Sequence, residues 1–213
     1  MSAVYVVRTA VLPDGDADFN AWQDDEHLGA LLALPGYLGA QRFVDAADPT
    51  RYLNVWRLTS PEVFGGPLHE QASHTPWFWR LRPYCTVHVD FGRESPGGDL
   101  PEPDLPEADL GEAPWRAGVT GLVVDREQPG SSRLDDGYRQ RLAACSEVAQ
   151  VVRLDPLPAD PAADRRSLPA APVLLSYLTA AATLPAPPEG VQRRRYRARN
   201  GYLAAPADPA GRA

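Results

Sequence analysis

Short apolar runs separated by turn residues dominate the first half of the chain. The β-branched run at residues 4–11 alternates apolar and polar positions at its start, which predicts a strand. Helical spacing follows from residue 19 to about residue 34, with Asp16 or Asp18 as the expected cap and Pro35-Gly36 as the expected end. Strands are predicted at 37–44, 52–58 and 85–91, with a helix from Ser60 that is interrupted at 65–67 and resumes over 68–73, and a short aromatic segment at 76–82.

The second half repeats this order more weakly. The pattern predicts a strand at 118–124, a helix at 132–144 capped by Ser131 or Ser132, strands at 148–154, 173–179 and 191–203, and a long loop at 156–172. The second helix of this half is reduced to residues 181–189. We therefore predict an internal duplication of units of roughly 100 residues. The first unit covers residues 1–93, and the second, degenerate unit covers residues 115–205.

Each predicted unit has the order βαββαβ, which forms an antiparallel sheet with two helices on one face. The other face of the sheet is also apolar and needs cover. Two such units packed sheet to sheet cover each other. The predicted architecture is an α+β fold in which one chain carries both units, as a monomeric pseudo-dimer or as a homodimer of such chains.

Negative charge is concentrated between the two units. Residues 94–114 hold seven Asp or Glu, five Pro and no Arg, which predicts an extended linker because like charges repel and apolar side chains are few. The charge of this segment equals the formal net charge of the whole chain, −7, so the two units together are neutral. Residues 206–213 are expected to be a disordered tail.

Composition and charge exclude several broad classes of protein. No apolar run approaches the roughly 18 residues of a membrane span, and the N-terminus lacks the pattern of a signal peptide. Cys85 and Cys145 share no short spacing, which indicates a reducing cytoplasm rather than a disulfide framework. The net charge of −7 argues against a nucleic-acid partner. A glycine-rich phosphate loop is missing, so a nucleotide cofactor is not expected.

A family resemblance rests on the first predicted helix and the turn after it. Trp22, Glu26 and His27 stand in a W-x-x-x-E-H pattern that precedes the turn at Pro35-Gly36. This segment resembles the EthD-like group of the dimeric α/β-barrel superfamily, whose units are ferredoxin-like. The sequence departs from that pattern at Gly29, where many members carry Pro.

The resemblance covers residues 3–93, and the second half matches by topology only. Residues 75–83 are similar to the end of the second helix in small actinobacterial members. The superfamily implies a pocket between the sheet and its helices, but not one reaction. Its members include cofactor-free monooxygenases of aromatic polyketides, polyketide cyclases, lactone isomerases, decarboxylases and haem enzymes.

We therefore expect a small cytoplasmic enzyme of secondary metabolism that acts on an aromatic or polyketide-like substrate. General acid–base chemistry would make it a cyclase, an isomerase or a cofactor-free monooxygenase. No cofactor is expected, but haem stays open because a single histidine is enough as its axial ligand. The alternatives are a metabolite-binding module without catalysis and a haem-dependent enzyme of the same fold.

His27 is the first candidate for catalysis. On the predicted helix it lies among apolar side chains that face the sheet. Gln23 and Asp24 stand four and three residues before it; Asp24 would orient the ring and favour an imidazolium, whereas burial opposes that charge. The balance predicts a titration near neutrality, which suits general acid–base catalysis. The alternative is a core histidine whose role is packing.

His74 is the second candidate, at the point where the chain can fold over a pocket mouth. His69 and His74 are five residues apart, which is not the four-residue step of a zinc protease, so no metal site is predicted. Aromatic and amide side chains nearby are expected to bind the substrate, and the alternative is that they form the core. The predicted binding residues are Trp22, Gln23, Tyr37, Gln41, Asn54, Trp56, Trp77 and Trp79.

Five arginines fall within residues 193–199. On a strand, Arg193, Arg195, Arg197 and Arg199 would project to one side, where they could clamp a carboxylate or a phosphate. The alternatives are that this face receives the acidic linker or faces solvent. The pattern does not choose between these interpretations.

Overall fold

A single antiparallel sheet closes on itself and contains the strands of both halves. The computed structural model describes residues 3–94, 119–127, 134–156, 172–201 and 203–204. The first half contributes β1 (Ala3–Val11), β2 (Tyr37–Asp45), β3 (Arg51–Leu58) and β4 (Cys85–Glu94). The second half contributes β5 (Gly121–Glu127), β6 (Val148–Pro156), β7 (Val173–Leu178), β8 (Val191–Ala198) and the short β9 (Leu203–Ala204).

The two halves share one strand order. It is β4-β1-β3-β2 in the first half and β8-β5-β7-β6 in the second, which is the order of a βαββαβ unit in both. β4 pairs with β6, and β2 pairs with β8, so two equivalent seams join the halves and close the ring. The predicted α+β architecture of two ferredoxin-like units around a barrel is therefore confirmed.

Strand register makes positions in the two halves directly comparable. A β-bulge follows Tyr37 on β2 and Val148 on β6, at the same point of each half. Leu58 pairs with Ala3 and Tyr37, and Leu178 pairs with Gly121 and Val148. Counting from these two leucines gives each strand residue of the first half an equivalent in the second.

The first helix begins earlier than the sequence predicts. α1 (Pro13–Trp22), a π-helical segment (Gln23–His27) and α2 (Leu28–Leu32) follow one another without a break. The helix begins at Pro13 because proline suits the first helical position, where its missing N–H is not needed. Leu12 is the capping residue, so the predicted caps at Asp16 and Asp18 are wrong.

Short helices complete the cover of each half. α3 (Pro67–Ser73) and α4 (Pro76–Leu81) precede β4, and α5 (Asp136–Ala143) precedes β6. The Asp135 carboxylate caps α5 by accepting a hydrogen bond from the Tyr138 amide at 2.7 Å, so this helix begins later than predicted. The predicted caps Ser131 and Ser132 lie outside the described residues.

The helix predicted at residues 181–189 is wrong. This segment contains no helical turn, and its prolines at 185, 187 and 188 cannot donate helical hydrogen bonds. Arginines of β8 bind it instead: Arg193 donates to the carbonyl of Pro185 at 2.7 Å, and Arg195 donates to that of Ala182 at 2.8 Å.

Apolar side chains form three layers. Both halves fill the interior of the barrel, with Val6, Leu53, Val55, Leu122 and Leu175 among the buried residues. The outer face of the first half packs against its helices, and that of the second half packs against α5. None of the described helices has the length and apolar character needed to cross a membrane.

Three predicted segments lie outside the described residues. They are the acidic linker from residue 95 to 114, most of the loop predicted at 156–172, and the tail at 206–213. The domain boundaries at 93 and 115 therefore stay predictions.

Candidate active site

A π-helical segment interrupts the first helix at the residues that carry the family resemblance. It spans Gln23–His27, between α1 and α2. A π-helix has more residues per turn than an α-helix, and such segments are frequent at functional sites. The wider turn changes which side chains share a face, so the angular positions predicted for a regular helix do not hold here.

His27 belongs to an aromatic cluster between the first helix and the sheet, formed by Tyr5, Trp22, His27, Tyr37 and Trp56. The His27 ring stacks on Trp22, with centroids 4.2 Å apart, and meets Trp56 edge to face at 5.8 Å. Trp56 is fully buried and also stacks on Tyr5 at 5.7 Å and contacts Tyr37 at 5.6 Å. The structure thus brings together three predicted binding residues, Trp22, Tyr37 and Trp56, with the predicted catalytic His27.

Several polar atoms of this region are buried without a hydrogen-bond partner among the described residues. They are Nδ1 of His27, Nε1 of Trp56 and Oδ1 of Asn54. Asn54 lies two residues before Trp56 on the same face of β3, and its Nδ2 donates to Oε1 of the buried Gln23 at 2.8 Å. Gln23 and Asn54 therefore lie beside the aromatic cluster, and their predicted role in substrate binding stays a prediction. Buried polar atoms that lack partners are rare enough to call for an explanation.

The electrostatic surroundings keep His27 neutral. Burial lowers its pKa to about 3, and the permanent positive charge of Arg42 acts in the same direction. The pKa predicted near neutrality is wrong because burial outweighs any favourable charge. His27 therefore presents a neutral imidazole, and the rest of the ring is half-buried although Nδ1 is fully enclosed.

Asp24 does not orient His27 as predicted. Its carboxylate pairs with the Arg42 guanidinium and lies 3.7 Å from Arg199. The side chain of Arg42 is completely buried and also donates to Oδ1 of Asn20 at 2.9 Å. Because of the π-helical turn, Asp24 faces β2 and the chain after β8, and its role in the structure is to neutralise a buried arginine.

A second polar group of the cluster was missed by the sequence analysis. The hydroxyls of Tyr5 and Tyr37 lie 3.3 Å apart, and the Tyr37 hydroxyl is hydrogen-bonded to Nδ1 of His69. The His69 ring packs on Phe64 with centroids 4.8 Å apart. The sequence analysis considered His69 only as a metal ligand. The alternation along β1, which places Tyr5 beside Ala3 on the helix-facing side, was the signal that could have identified Tyr5.

His74 and Trp79 lie next to the aromatic cluster. The His74 ring packs on Phe78 at 5.0 Å and on Trp79 at 5.4 Å, and its Nδ1 lies 2.6 Å from the Glu70 carboxylate. Trp79 is 55% exposed. Phe78 in turn contacts Trp22 at 5.8 Å, so His74 and Trp79 adjoin the aromatic cluster without belonging to it.

Two predicted binding residues lie elsewhere. Gln41 shares with Phe43 the face of β2 that points into the barrel, and its Nε2 donates to the backbone carbonyl of Asn200 at 3.2 Å. Trp77 donates from Nε1 to Asp18 at 3.0 Å and packs with the cluster around Phe19 instead. Alternation along a strand gives two faces but does not say which one the helices cover.

No three His, Cys, Asp or Glu side chains among the described residues are grouped to hold a metal ion. The rings of His27 and His69 pack against aromatic rings whose centroids lie 4.2–5.8 Å and 4.8 Å away. The expectation that no cofactor is needed, and the haem alternative to it, stay predictions.

The arginine-rich strand binds groups of the protein itself. Arg193 pairs with Asp125 through two hydrogen bonds of 2.7 Å, and Arg194 donates to Asp45 at 2.9 Å. Arg195 binds a carbonyl, and Arg199 faces Asp24. These contacts favour an internal structural role over a clamp for an external anion.

Comparison with known proteins supports the fold. No protein-family profile matches the sequence, and no curated protein matches it significantly. An anthrone oxidase-like protein of known structure aligns with a TM-score of 0.61 over 100% of this chain and 96% of its own, at 11% identity. Putative monooxygenases from Lactobacillus acidophilus and Fusobacterium nucleatum align with TM-scores of 0.55 and 0.54, over 96% and 95% of this chain and 99% and 96% of theirs, at 8% and 10% identity. At such identities the likeness shows the fold alone, which is the dimeric α/β barrel.

Proposed function

We propose that the chain is a small cytoplasmic enzyme of secondary metabolism, of the EthD-like kind and built as a tandem pseudo-dimer. It binds a flat aromatic or polyketide-like molecule in the first half and moves a proton at His27. The observation that carries this proposal is the set of unpaired buried atoms on His27, Asn54 and Trp56. Each such atom destabilises the free protein by about 1–3 kcal/mol, and a ligand with suitably placed oxygen atoms would pair them.

The proposed chemistry starts from the neutral form of His27. Its Nδ1 carries a lone pair that accepts a proton from a C–H group next to a carbonyl, and the substrate becomes an enolate. A base with a pKa of about 3 is weak in the free protein. In the complex, the enolate beside it favours the imidazolium, because opposite charges attract strongly where water is excluded. The Trp56 N–H would donate a hydrogen bond to the enolate oxygen.

This enolate is common to cyclisation, isomerisation and cofactor-free oxygenation. Among these reactions we favour oxygenation, because proteins of the same fold bear the names of an anthrone oxidase-like protein and of putative monooxygenases. Dioxygen would be the oxidant. One of its atoms enters the substrate as a carbonyl oxygen, and the other leaves as water with the two hydrogens of the oxidised CH₂ group.

A metabolite-binding module without catalysis is the second candidate. The same unpaired atoms would then hold a ligand that leaves unchanged. Turnover of a bound aromatic compound separates the two proposals, because both require binding and only one requires a product.

The deciding experiment is a panel of anthrones and related aromatic ketones and phenols, incubated with the protein in air and under nitrogen. An oxygenase consumes dioxygen and forms product in air only, whereas a cyclase or isomerase forms product under both conditions. Binding without product in either atmosphere supports the binding module. A panel without binding contradicts the proposed site. A Soret band that persists after purification shows bound haem and contradicts the proposed cofactor-free reaction.

A further inference from the structure

The hydrogen-bonded chain of Tyr5, Tyr37 and His69 has no part in the proton transfer at His27. It lies in the same aromatic cluster, because Tyr5 and Tyr37 both contact Trp56, whose other ring neighbour is His27. Tyr5 and Tyr37 are 2% and 3% exposed, so their hydroxyls depend on protein groups or a ligand for hydrogen bonds.

Counting donors shows that the hydrogen bonds among Tyr5, Tyr37 and His69 have two possible arrangements. It contains two hydrogen bonds, one between the hydroxyls of Tyr5 and Tyr37 and one between Tyr37 and Nδ1 of His69. When Nδ1 of His69 carries no proton, Tyr37 donates to His69, Tyr5 donates to Tyr37, and the Tyr5 oxygen offers only lone pairs. When Nδ1 carries the proton, each group donates in the opposite direction, and the Tyr5 O–H is left over as a donor.

All three groups are uncharged at neutral pH. Burial raises the pKa of Tyr37 to about 12, and that of Tyr5 well above its usual value. Burial also lowers the pKa of His69, although Glu70 opposes this shift. The direction in which these hydrogen bonds are donated is therefore set by which nitrogen of a neutral His69 holds the proton, not by ionisation.

We propose that the tautomer of His69 switches the Tyr5 hydroxyl between acceptor and donor, so that one site binds both the hydroxyl form and the oxyanion form of its ligand. This inference rests on the proposed function, which creates an oxyanion during the reaction. A hydroxyl ligand donates to Tyr5, and an oxyanion accepts from Tyr5. No covalent bond forms or breaks in the ligand, and the only proton exchanged is the one that moves between Nε2 and Nδ1 of His69 through solvent.

The tautomer can be measured directly in the full chain labelled with ¹⁵N-histidine. Two-bond proton–nitrogen correlation spectra distinguish a protonated ring nitrogen from an unprotonated one. The probes are 2-naphthol, which is neutral at pH 7, and 2,4-dinitro-1-naphthol, which is a phenolate at pH 7. We expect Nδ1 of His69 to be unprotonated in the free protein and with 2-naphthol, and protonated with the phenolate.

The outcomes separate this inference from the function on which it rests. If both probes quench tryptophan fluorescence but the His69 tautomer is the same in both complexes, the switch is wrong and the binding site stands. If neither probe binds, the proposed site fails, and the switch fails with it.

A variant tests the same point by affinity. Tyr37→Phe removes the hydroxyl that links Tyr5 to His69, so the preference for the phenolate over 2-naphthol should fall about tenfold. Tyr138→Phe removes an equally buried hydroxyl from the second half and should leave the preference within twofold. An unchanged preference in Tyr37→Phe overturns the proposal; if that variant does not fold, the tautomer measurement on the unmodified chain decides.

Discussion

The two halves have the same strands in the same order but use the layer under their helices differently. In the first half Tyr5 pairs with Trp56, and at the equivalent place in the second half Val123 pairs with Ser176. The positions of Tyr37 and Asn54 hold Val148 and Leu174. One layer combines aromatic rings with polar atoms, while the other is largely aliphatic.

One pair of equivalent positions also differs in charge. Val7 faces Val89 in the first half, and the equivalent pair in the second half is Asp125 and Arg193. Asp125 is fully buried and also accepts a hydrogen bond of 2.8 Å from Tyr138. At this place the second half therefore has a buried ion pair where the first half has two valines, and we infer that the second half supports the barrel while the first half carries the chemistry.

Breaking the ion pair of the second half should have the largest effect on stability. Asp125→Ala leaves Arg193 without its carboxylate partner and should lower the free energy of unfolding by about 3–5 kcal/mol. Urea denaturation measures this loss. Because the site lies in the other half, the folded variant should bind 2-naphthol as the unmodified chain does, and weakened binding by the folded variant would argue against the division of labour.

Removing His27 should affect activity far more than stability. His27→Ala should lower turnover at least tenfold, which corresponds to an activation free energy higher by about 1.4 kcal/mol. The melting temperature should stay within a few degrees. The matched control is His88→Ala, at an exposed histidine of β4. Equal turnover in the two variants would reject the catalytic role.

Removing one donor from the aromatic cluster should have a smaller effect on binding. Trp56→Phe keeps a buried ring but loses the unpaired indole N–H, so the phenolate probe should bind about fivefold more weakly, or ~1 kcal/mol. Ser176→Ala changes the equivalent position of the second half and should leave the dissociation constant unchanged. Titration of tryptophan fluorescence measures both variants, and an effect in Ser176→Ala of similar size would contradict the comparison.

Mild acid should have the smallest effect on stability. This effect should come from the first half, which contains all four histidines. The folded-state pKa of His27 is about 3, below its unfolded value of about 6.5, so the unfolded chain binds the proton more readily. Stability should therefore fall as the pH decreases from about 6.5 towards 3. His27→Gln should flatten this slope between about pH 7 and pH 5, as measured by urea midpoints, and an unchanged slope would contradict the burial of His27.

The strand pattern and the fold were predictable from the sequence because alternation and turn residues are local signals. The beginning of α1 was missed because Pro13 looks like a helix breaker but suits the first helical turn. The failed helix at 181–189 has the opposite cause, since its prolines prevent the helix that the repeat would require.

The candidate site was predictable in part. His27, Trp56 and Asn54 follow from the resemblance and from strand alternation, and the structure brings them together. The role of Asp24 was not predictable, because a π-helical turn has no clear sequence signal and moves Asp24 towards Arg42. The link from Tyr5 to His69 joins residues far apart in sequence, and only the packing of α3 on the sheet brings them together.

A structure of the chain crystallised with 2-naphthol tests the central claim most directly. The account predicts that the probe lies in the first half, between the first helix and the sheet, with its oxygen within about 3 Å of Nδ1 of His27 or Nε1 of Trp56. The equivalent layer of the second half should contain no probe. A probe bound under α5 or inside the barrel, or one held with its oxygen away from both nitrogens, would contradict the account.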